Sequence, residues 1–288
     1  GNKEAVQTIE VKVDKTAPVT KADAADTWSK EDAAVKLAAS DEASGIAQTF
    51  YSINGSDYAE GTAFTVEKEG VNKISFYSVD EAGNKEAVQA IEVKIDKTAP
   101  VTQSDASDQW LKEDTTIRLT ATDSASGTAR TYYSIDGSEY KEGTSFTINK
   151  EGITIVSFYT VDQAGNVEEA KVIEVKIDKT APIVSMNLSE EYALGASLDL
   201  AYKAEDATSD ITVETLTFNG QTYQNGDNVT LSQPGTYKVS VTVTDEAGWT
   251  TTVEKNIVVY IQASIDVNPG VIKQNTGVIT VQVTVPKG

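Results

Sequence analysis

Cysteine and histidine are both absent from the 288 residues, and methionine occurs once. A disulfide framework, a zinc-thiolate site and a serine nucleophile served by a histidine base are therefore all excluded. Basic side chains are scarce: 24 Lys and Arg stand against 44 Asp and Glu, a formal charge of -20 at pH 7. Without a basic cluster such a field repels polyanions, so nucleic acid is not expected as a partner. No apolar run approaches the roughly 18 residues needed to cross a bilayer, and no signal peptide opens the sequence, so a soluble chain without membrane insertion is expected. A phosphate-cradling glycine loop is also missing, and no organic cofactor is expected.

What the sequence has instead is repetition. The motif DKTAP occurs at Asp14 to Pro18, Asp96 to Pro100 and Asp178 to Pro182, each time 82 residues further on. Residues 19–100 align with 101–182 without a gap, and about 50 of the 82 positions are identical. Residues 1–18 nearly duplicate 83–100 and read as the last strand of a preceding repeat plus a linker. Residues 183–261 hold a diverged third copy: FNGQTYQNG mirrors INGSDYAEG, and one residue inserted before Asp206 accounts for a shift in spacing. Residues 262–288 read as the start of a further, truncated β module.

Within each copy the pattern is that of strands and tight turns. Ile117, Leu119 and Ala121 share one face, as do Ile173, Val175 and Ile177, at the period of a half-buried strand. Asn54-Gly55 and Asp136-Gly137 separate extended runs and suit a two-residue hairpin turn. Short strands every 8 to 12 residues or so predict an all-β fold of tandem immunoglobulin-like antiparallel β-sandwiches in an elongated array, with about seven strands per copy. A solenoid would need a much shorter repeat, and a closed barrel is the remaining alternative.

In an immunoglobulin strand order the B–C and F–G loops share the pole at which the chain enters. That topology brings together Asp14, Asp41 and Asp80 in the first copy, with Glu42 and Asn84 nearby. It likewise gathers Asp96, Asp123 and Asp162, with Asn166, in the second, and Asp178, Asp206 and Asp245 in the third. Calcium takes six to eight oxygen ligands, so one ion per junction is the functional expectation for these nine aspartates. The alternative is that they are turn formers, since Asp and Asn are the usual residues of Asx-turns and proline already ends each sheet. Gln262 stands where a further aspartate would be, so no ion is expected there.

Trp28 and Trp110 occupy equivalent places before strand B, with Tyr192 in the third copy. They are either sugar-stacking platforms or plugs of the sandwich end. Trp249 replaces the asparagine of the other copies and is a separate candidate for an interdomain or ligand contact. No catalytic residue is assigned: glycoside hydrolysis needs a cleft with two carboxyls about 5 to 10 Å apart, whereas these acidic residues recur at equivalent loop positions.

The set DKTAP, W, LTATDSASG, YYSIDG, EGTSF and VSFYTVDQAGNVEEA resembles a family of bacterial Ig-like repeats of secreted and wall-associated proteins, mostly of Gram-positive bacteria. Such repeats are often appended to polysaccharide-degrading enzymes or built into surface-layer and adhesin proteins. The likeness is strong over 1–182 and looser over 183–261. It implies an extracellular or cell-wall-associated, non-catalytic array whose partners are neighbouring domains of the same chain. Two further readings stay open: a carbohydrate-binding or adhesive module attached to a polysaccharide-active enzyme, which would add polysaccharide as a partner, and part of an enzyme whose site is completed by another domain.

Strands of about eight residues at 3.3 Å each, plus loops, give modules of roughly 35 to 40 Å. Small-angle scattering of the chain is accordingly expected to give a maximum dimension on the order of 110 Å, and a compact particle would overturn the array.

Overall fold

The computed structural model describes residues 3–262. These residues form strands and turns with no helix, so none is long and apolar enough to cross a membrane. The first repeat contains β1 (Val19–Asp23), β2 (Trp28–Ser29), β3 (Ala33–Ser40), β4 (Ile46–Ile53), β5 (Ala59–Glu60), β6 (Ala63–Val66), β7 (Gly70–Asp80) and β8 (Gln89–Ile95). Its two sheets have the orders β1-β3-β6 and β2-β8-β7-β4-β5. Pairing is antiparallel except at one edge, where Trp28 of β2 lies parallel to Lys94 of β8.

The second repeat contains β9 (Val101–Ser104), β10 (Thr115–Thr122), β11 (Thr128–Ile135), β12 (Lys141–Glu142), β13 (Ser145–Ile148), β14 (Gly152–Asp162) and β15 (Lys171–Ile177). The sheet orders β13-β10-β9 and β12-β11-β14-β15 repeat those of the first, except that the edge strand equivalent to β2 is reduced to a single parallel bridge between Leu111 and Ile177. In the third repeat the strand equivalent to β3 and β10 is broken in two. Its elements are β16 (Ile183–Met186), β17 (Glu191–Ala193), β18 (Ser197–Asp199), β19 (Tyr202–Glu205), β20 (Ile211–Phe218), β21 (Gln221–Tyr223), β22 (Asn228–Thr230), β23 (Gly235–Asp245) and β24 (Thr250–Tyr260). The long sheet keeps the order β17-β24-β23-β20-β21. By packing, the chain groups into two units: one holds residues up to 106 with 116–146 and 155–173, the other 107–115, 147–154 and 174 onward. Each unit thus contains one whole repeat and one end of the middle repeat.

The period-two pattern carries the core. In the first repeat Val35 and Leu37 of β3, Val66 of β6, Ile74 and Phe76 of β7, and Val93 and Ile95 of β8 are buried in one cluster. The third repeat has its own cluster, including Leu198, Leu216, Leu231, Val239, Val241, Val243, Ile257 and Val259. Asn54 and Gly55 have φ of 52° and 79°, and Asp136-Gly137 and Asn219-Gly220 match them. Two successive positive φ angles are what a two-residue turn in register with twisted strands requires.

Residues 3–18 do not form the strand their IEVKV alternation predicts. Val6, Ile9, Val11 and Val13 are exposed. The equivalent runs in β8 and β15 are ordered by pairing with β7 and β14, and among the described residues the first run has no such neighbour. The module expected over 262–288 lies, beyond Gln262, outside the described residues.

Two buried glutamates that sequence reasoning passed over tie the sheets together. Glu168 accepts the Thr102 N–H at 2.8 Å, the Thr102 hydroxyl at 2.5 Å and the Thr160 N–H at 3.2 Å, and pairs with Lys171 at 2.8 Å. Glu86 accepts the Thr20 hydroxyl and the N–H groups of Thr20 and Ser78, joining β1 to β7. Burial acts to raise the Glu168 carboxyl, but hydrogen bonds from Lys171 and Thr102 outweigh it and hold the group below the ordinary glutamate range. A depressed folded value gives stability that is present above the unfolded pKa of about 4.3 and lost as pH falls through the folded value. Glu168→Gln should therefore destabilise the second repeat at pH 7 by about 1.5–3 kcal/mol, the range for hydrogen bonds to a charged group. Urea unfolding at pH 7 and pH 3 checks this: the loss should shrink at the lower pH.

Candidate acidic site at the repeat poles

The inward face of strand F ends in a carboxylate. Along β7, Ile74, Phe76, Ser78 and Asp80 alternate onto the buried side; along β14 the series is Val156, Phe158, Thr160 and Asp162; along β23 it is Val239, Val241, Val243 and Asp245. Opposite each terminal aspartate the partner strand carries a bulge, between Ile46 and Gln48, Thr128 and Arg130, and Ile211 and Val213. Such a bulge bends a strand and re-aims its side chains.

The second carboxylate of each set follows strand B and folds the B–C loop around itself. Asp41 Oδ1 accepts the N–H groups of Ala43, Ser44 and Gly45 at 3.0, 2.8 and 3.0 Å. Asp123 accepts from Ala125 and Gly127 at 3.1 and 2.8 Å, and Asp206 from Thr208 and Ser209 at 2.8 and 3.0 Å.

The third comes from the DKTAP linker and uses its two oxygens differently. Oδ1 of Asp14, Asp96 and Asp178 accepts the N–H of Thr16, Thr98 and Thr180 at 2.9, 3.1 and 3.0 Å, which is an Asx-turn. Oδ2 reaches the B–C loop: Asp14 takes the Ser44 N–H at 3.1 Å and its hydroxyl at 2.5 Å, Asp96 the Ser126 N–H at 2.9 Å, and Asp178 the Ser209 hydroxyl. The turn-forming role is thus present at all three seams, and it occupies only half of each carboxylate. The Ser44 hydroxyl and the Thr16 N–H hold the Asp14 carboxyl below the usual carboxylate range. Burial pushes Asp96 up, but the bonds from Ser126 and Thr98 bring it below that range.

All nine sequence-predicted aspartates lie in three clusters, in each of which one oxygen per residue is within 4.8 Å of the others. Glu42 is exposed and is no member of them. Asn84 and Asn166 close the first two: each amide donates to Oδ2 of Asp80 or Asp162 at 2.8 or 2.7 Å, and to the Asp14 or Asp96 carbonyl at 3.3 or 2.8 Å. Sequence reasoning missed the serines, whose signal was the repeated ASG and its TSD counterpart.

The tryptophans are half-buried. Trp28 lines a cleft with Ala24, Thr27, Ala33 and, from the F–G loop of the next repeat, Ala164. The Trp110 indole N–H donates to Glu246 of the following repeat at 2.7 Å. Beside it the Lys112 ammonium donates to the Gly248 carbonyl at 2.7 Å and lies 4.6 Å from the Trp249 ring centroid. Trp249 donates its indole N–H to the Asp178 carbonyl at 2.8 Å. Tyr192, packed on the third core, accepts the Ser189 N–H at its hydroxyl at 3.0 Å.

Fold and poles define a tandem array of immunoglobulin-like β-sandwiches. Residues 11–97 match the model of a family described as bacterial Ig-like domains, and residues 101–182 repeat 19–100 without a gap. No curated protein matches the chain. Among solved structures, the chain is similar to three N-terminal domains of the bacteriophage RB49 highly immunogenic outer capsid protein, at 10% identity over 86% of this chain and 99% of that one, with a TM-score of 0.42. A tetra-tandem repeat from the extending region of a large adhesion protein matches at 15% identity, 85% and 74% coverage and a TM-score of 0.37. Fibronectin(III)-like modules of Clostridium thermocellum CbhA match at 15% identity, 55% and 95% coverage and a TM-score of 0.32. At these identities and scores no function carries over from them.

Removing the B–C carboxylate should orphan the loop's N–H groups even without any cation. In the presence of a chelator, Asp41→Ala is expected to lose about 1–3 kcal/mol of stability, and Asp41→Asn, which keeps an acceptor oxygen, clearly less. Denaturant melts of the two variants separate these outcomes.

Proposed function

We propose that the chain is a non-catalytic spacer or stalk of Ig-like domains in a larger extracellular or cell-wall-associated bacterial protein, with calcium held at the three seams. The single observation that carries the calcium reading is the set of three clusters, each with three carboxylate oxygens within 4.8 Å of one another. Calcium binds oxygen at 2.3–2.6 Å, so two ligands on opposite sides of one ion are about 4.6–5.2 Å apart, and closer pairs fit at smaller angles. Magnesium binds at about 2.0–2.1 Å and keeps several waters, which suits a three-carboxylate pole less well. Unscreened by a cation, two such charges at 4.8 Å repel by roughly 3.5 kcal/mol at an effective dielectric of 20. The backbone and serine donors offset part of this, and a divalent ion would offset the rest while binding the linker aspartate to both loops of its repeat. In this reading the ion's task is mechanical: it stiffens the entry of the chain into each sandwich.

The carbohydrate-binding alternative rests on Trp28, which lines a cleft. The indole N–H groups of Trp110 and Trp249 are committed to Glu246 and to the Asp178 carbonyl.

Thermal melting with 1 mM calcium and with a chelator tests the proposal. At a dissociation constant of about 10 μM, a site adds roughly 2.7 kcal/mol to its module, which for an 80-residue domain is a rise in midpoint on the order of 10 °C. An unchanged midpoint would end the calcium reading.

A further inference from the structure

We infer that the three poles are unequal, and that Asp178, Asp206 and Asp245 form the calcium site of highest affinity because Trp249 leaves open a buried carboxylate oxygen that an asparagine closes elsewhere. This inference rests on the calcium reading above. In the first two repeats the asparagine amide makes two bonds, one to the linker carbonyl and one to Oδ2 of the strand-F aspartate. A cation seeking that oxygen there has to share it with an N–H donor.

Trp249 reproduces only half of this arrangement. Its backbone N–H donates to Asp245 Oδ1 at 2.8 Å, as those of Asn84 and Asn166 do to Asp80 and Asp162. The indole N–H, a single donor, goes to the Asp178 carbonyl at 2.8 Å. Nothing remains for Asp245 Oδ2, which is buried without a hydrogen-bond partner in a residue that is 2% exposed. Asp178, beside it, is fully buried, and Asp206 is half-buried. The ammonium of Lys112 is occupied by the Gly248 carbonyl and the Trp249 ring and gives Asp245 no hydrogen bond.

Leaving a buried carboxyl oxygen unpaired is costly, and a hard divalent cation is the partner that its neighbours in the cluster also accept. At the third pole the ion meets no competing donor on that oxygen, so its affinity there should exceed that for the others by at least tenfold.

Calcium titration of the whole chain against a chromophoric chelator tests this. The expected isotherm has one tight step and two weaker ones. Trp249→Asn, which installs the residue the other repeats already tolerate, should weaken the tight step at least tenfold until it merges with the rest. Asp245→Asn should abolish it and leave the weaker pair, while Asp162→Asn should remove a weak step and spare it. Three indistinguishable steps, or a tight step that survives Trp249→Asn, would overturn the inference and leave the calcium reading standing. No uptake at millimolar calcium would overturn that reading instead. Circular dichroism verifies that each variant is folded, and should Asp245→Asn fail to fold, Trp249→Asn decides alone.

Discussion

A carboxylate can end the buried face of a strand only where donors are aimed at it, and much of each pole is built to supply them. Asp80, Asp162 and Asp245 are 1%, 2% and 2% exposed, and an ionised group at that depth is tolerable only when paired or hydrogen-bonded. The F–G turn answers with the N–H of Asn84, Asn166 or Trp249. The B–C loop turns its own amides onto Asp41, Asp123 or Asp206, and then offers a serine to the incoming linker. Loop shape, bulge and linker path are consequences of placing three acids in one place.

This explains why the poles were legible in the sequence. A gapless repeat fixes equivalent positions, an immunoglobulin strand order sends B–C and F–G to one end, and the three aspartates then meet by topology alone. The hairpins were legible for the same kind of reason, since Asn54-Gly55 and Asp136-Gly137 name their own backbone angles. In residues 3–18 alternation signals a capacity to pair, and among the described residues no strand lies beside them. Glu86 and Glu168 went unnoticed because a single glutamate in an irregular segment gives no periodic signal, and its burial depends on Thr20 or Thr102 arriving from a strand 66 residues away.

Two of the tryptophans have indole N–H partners that composition does not reveal. Either an exposed platform or a plug was compatible with Trp110 before strand B. Its bond to Glu246, alongside Lys112 on Gly248, makes it part of the contact with the turn that follows Asp245. The indole and amine are thereby held against the polar rim of a pole, where an amphipathic ring has both an apolar body and a donor to satisfy.

The third repeat separates what the sandwich needs from what the pole needs. In the first two repeats Thr20, Ser78 and Glu86, or Thr102, Thr160 and Glu168, form a buried polar tie. In the third, the equivalent positions are Val184, Val243 and Thr251, and both valines pack with the hydrophobic core. Exchanging a buried charged network for apolar side chains of similar volume is close to neutral for stability, so the tie could be dispensed with while the sheets kept their order. The aspartates were not exchanged: Asp178 and Asp245 are buried, Asp206 is half-buried, and Oδ2 of Asp245 is left bare. Sheet packing does not demand them there, and that contrast is the strongest physical ground for looking to a bound cation.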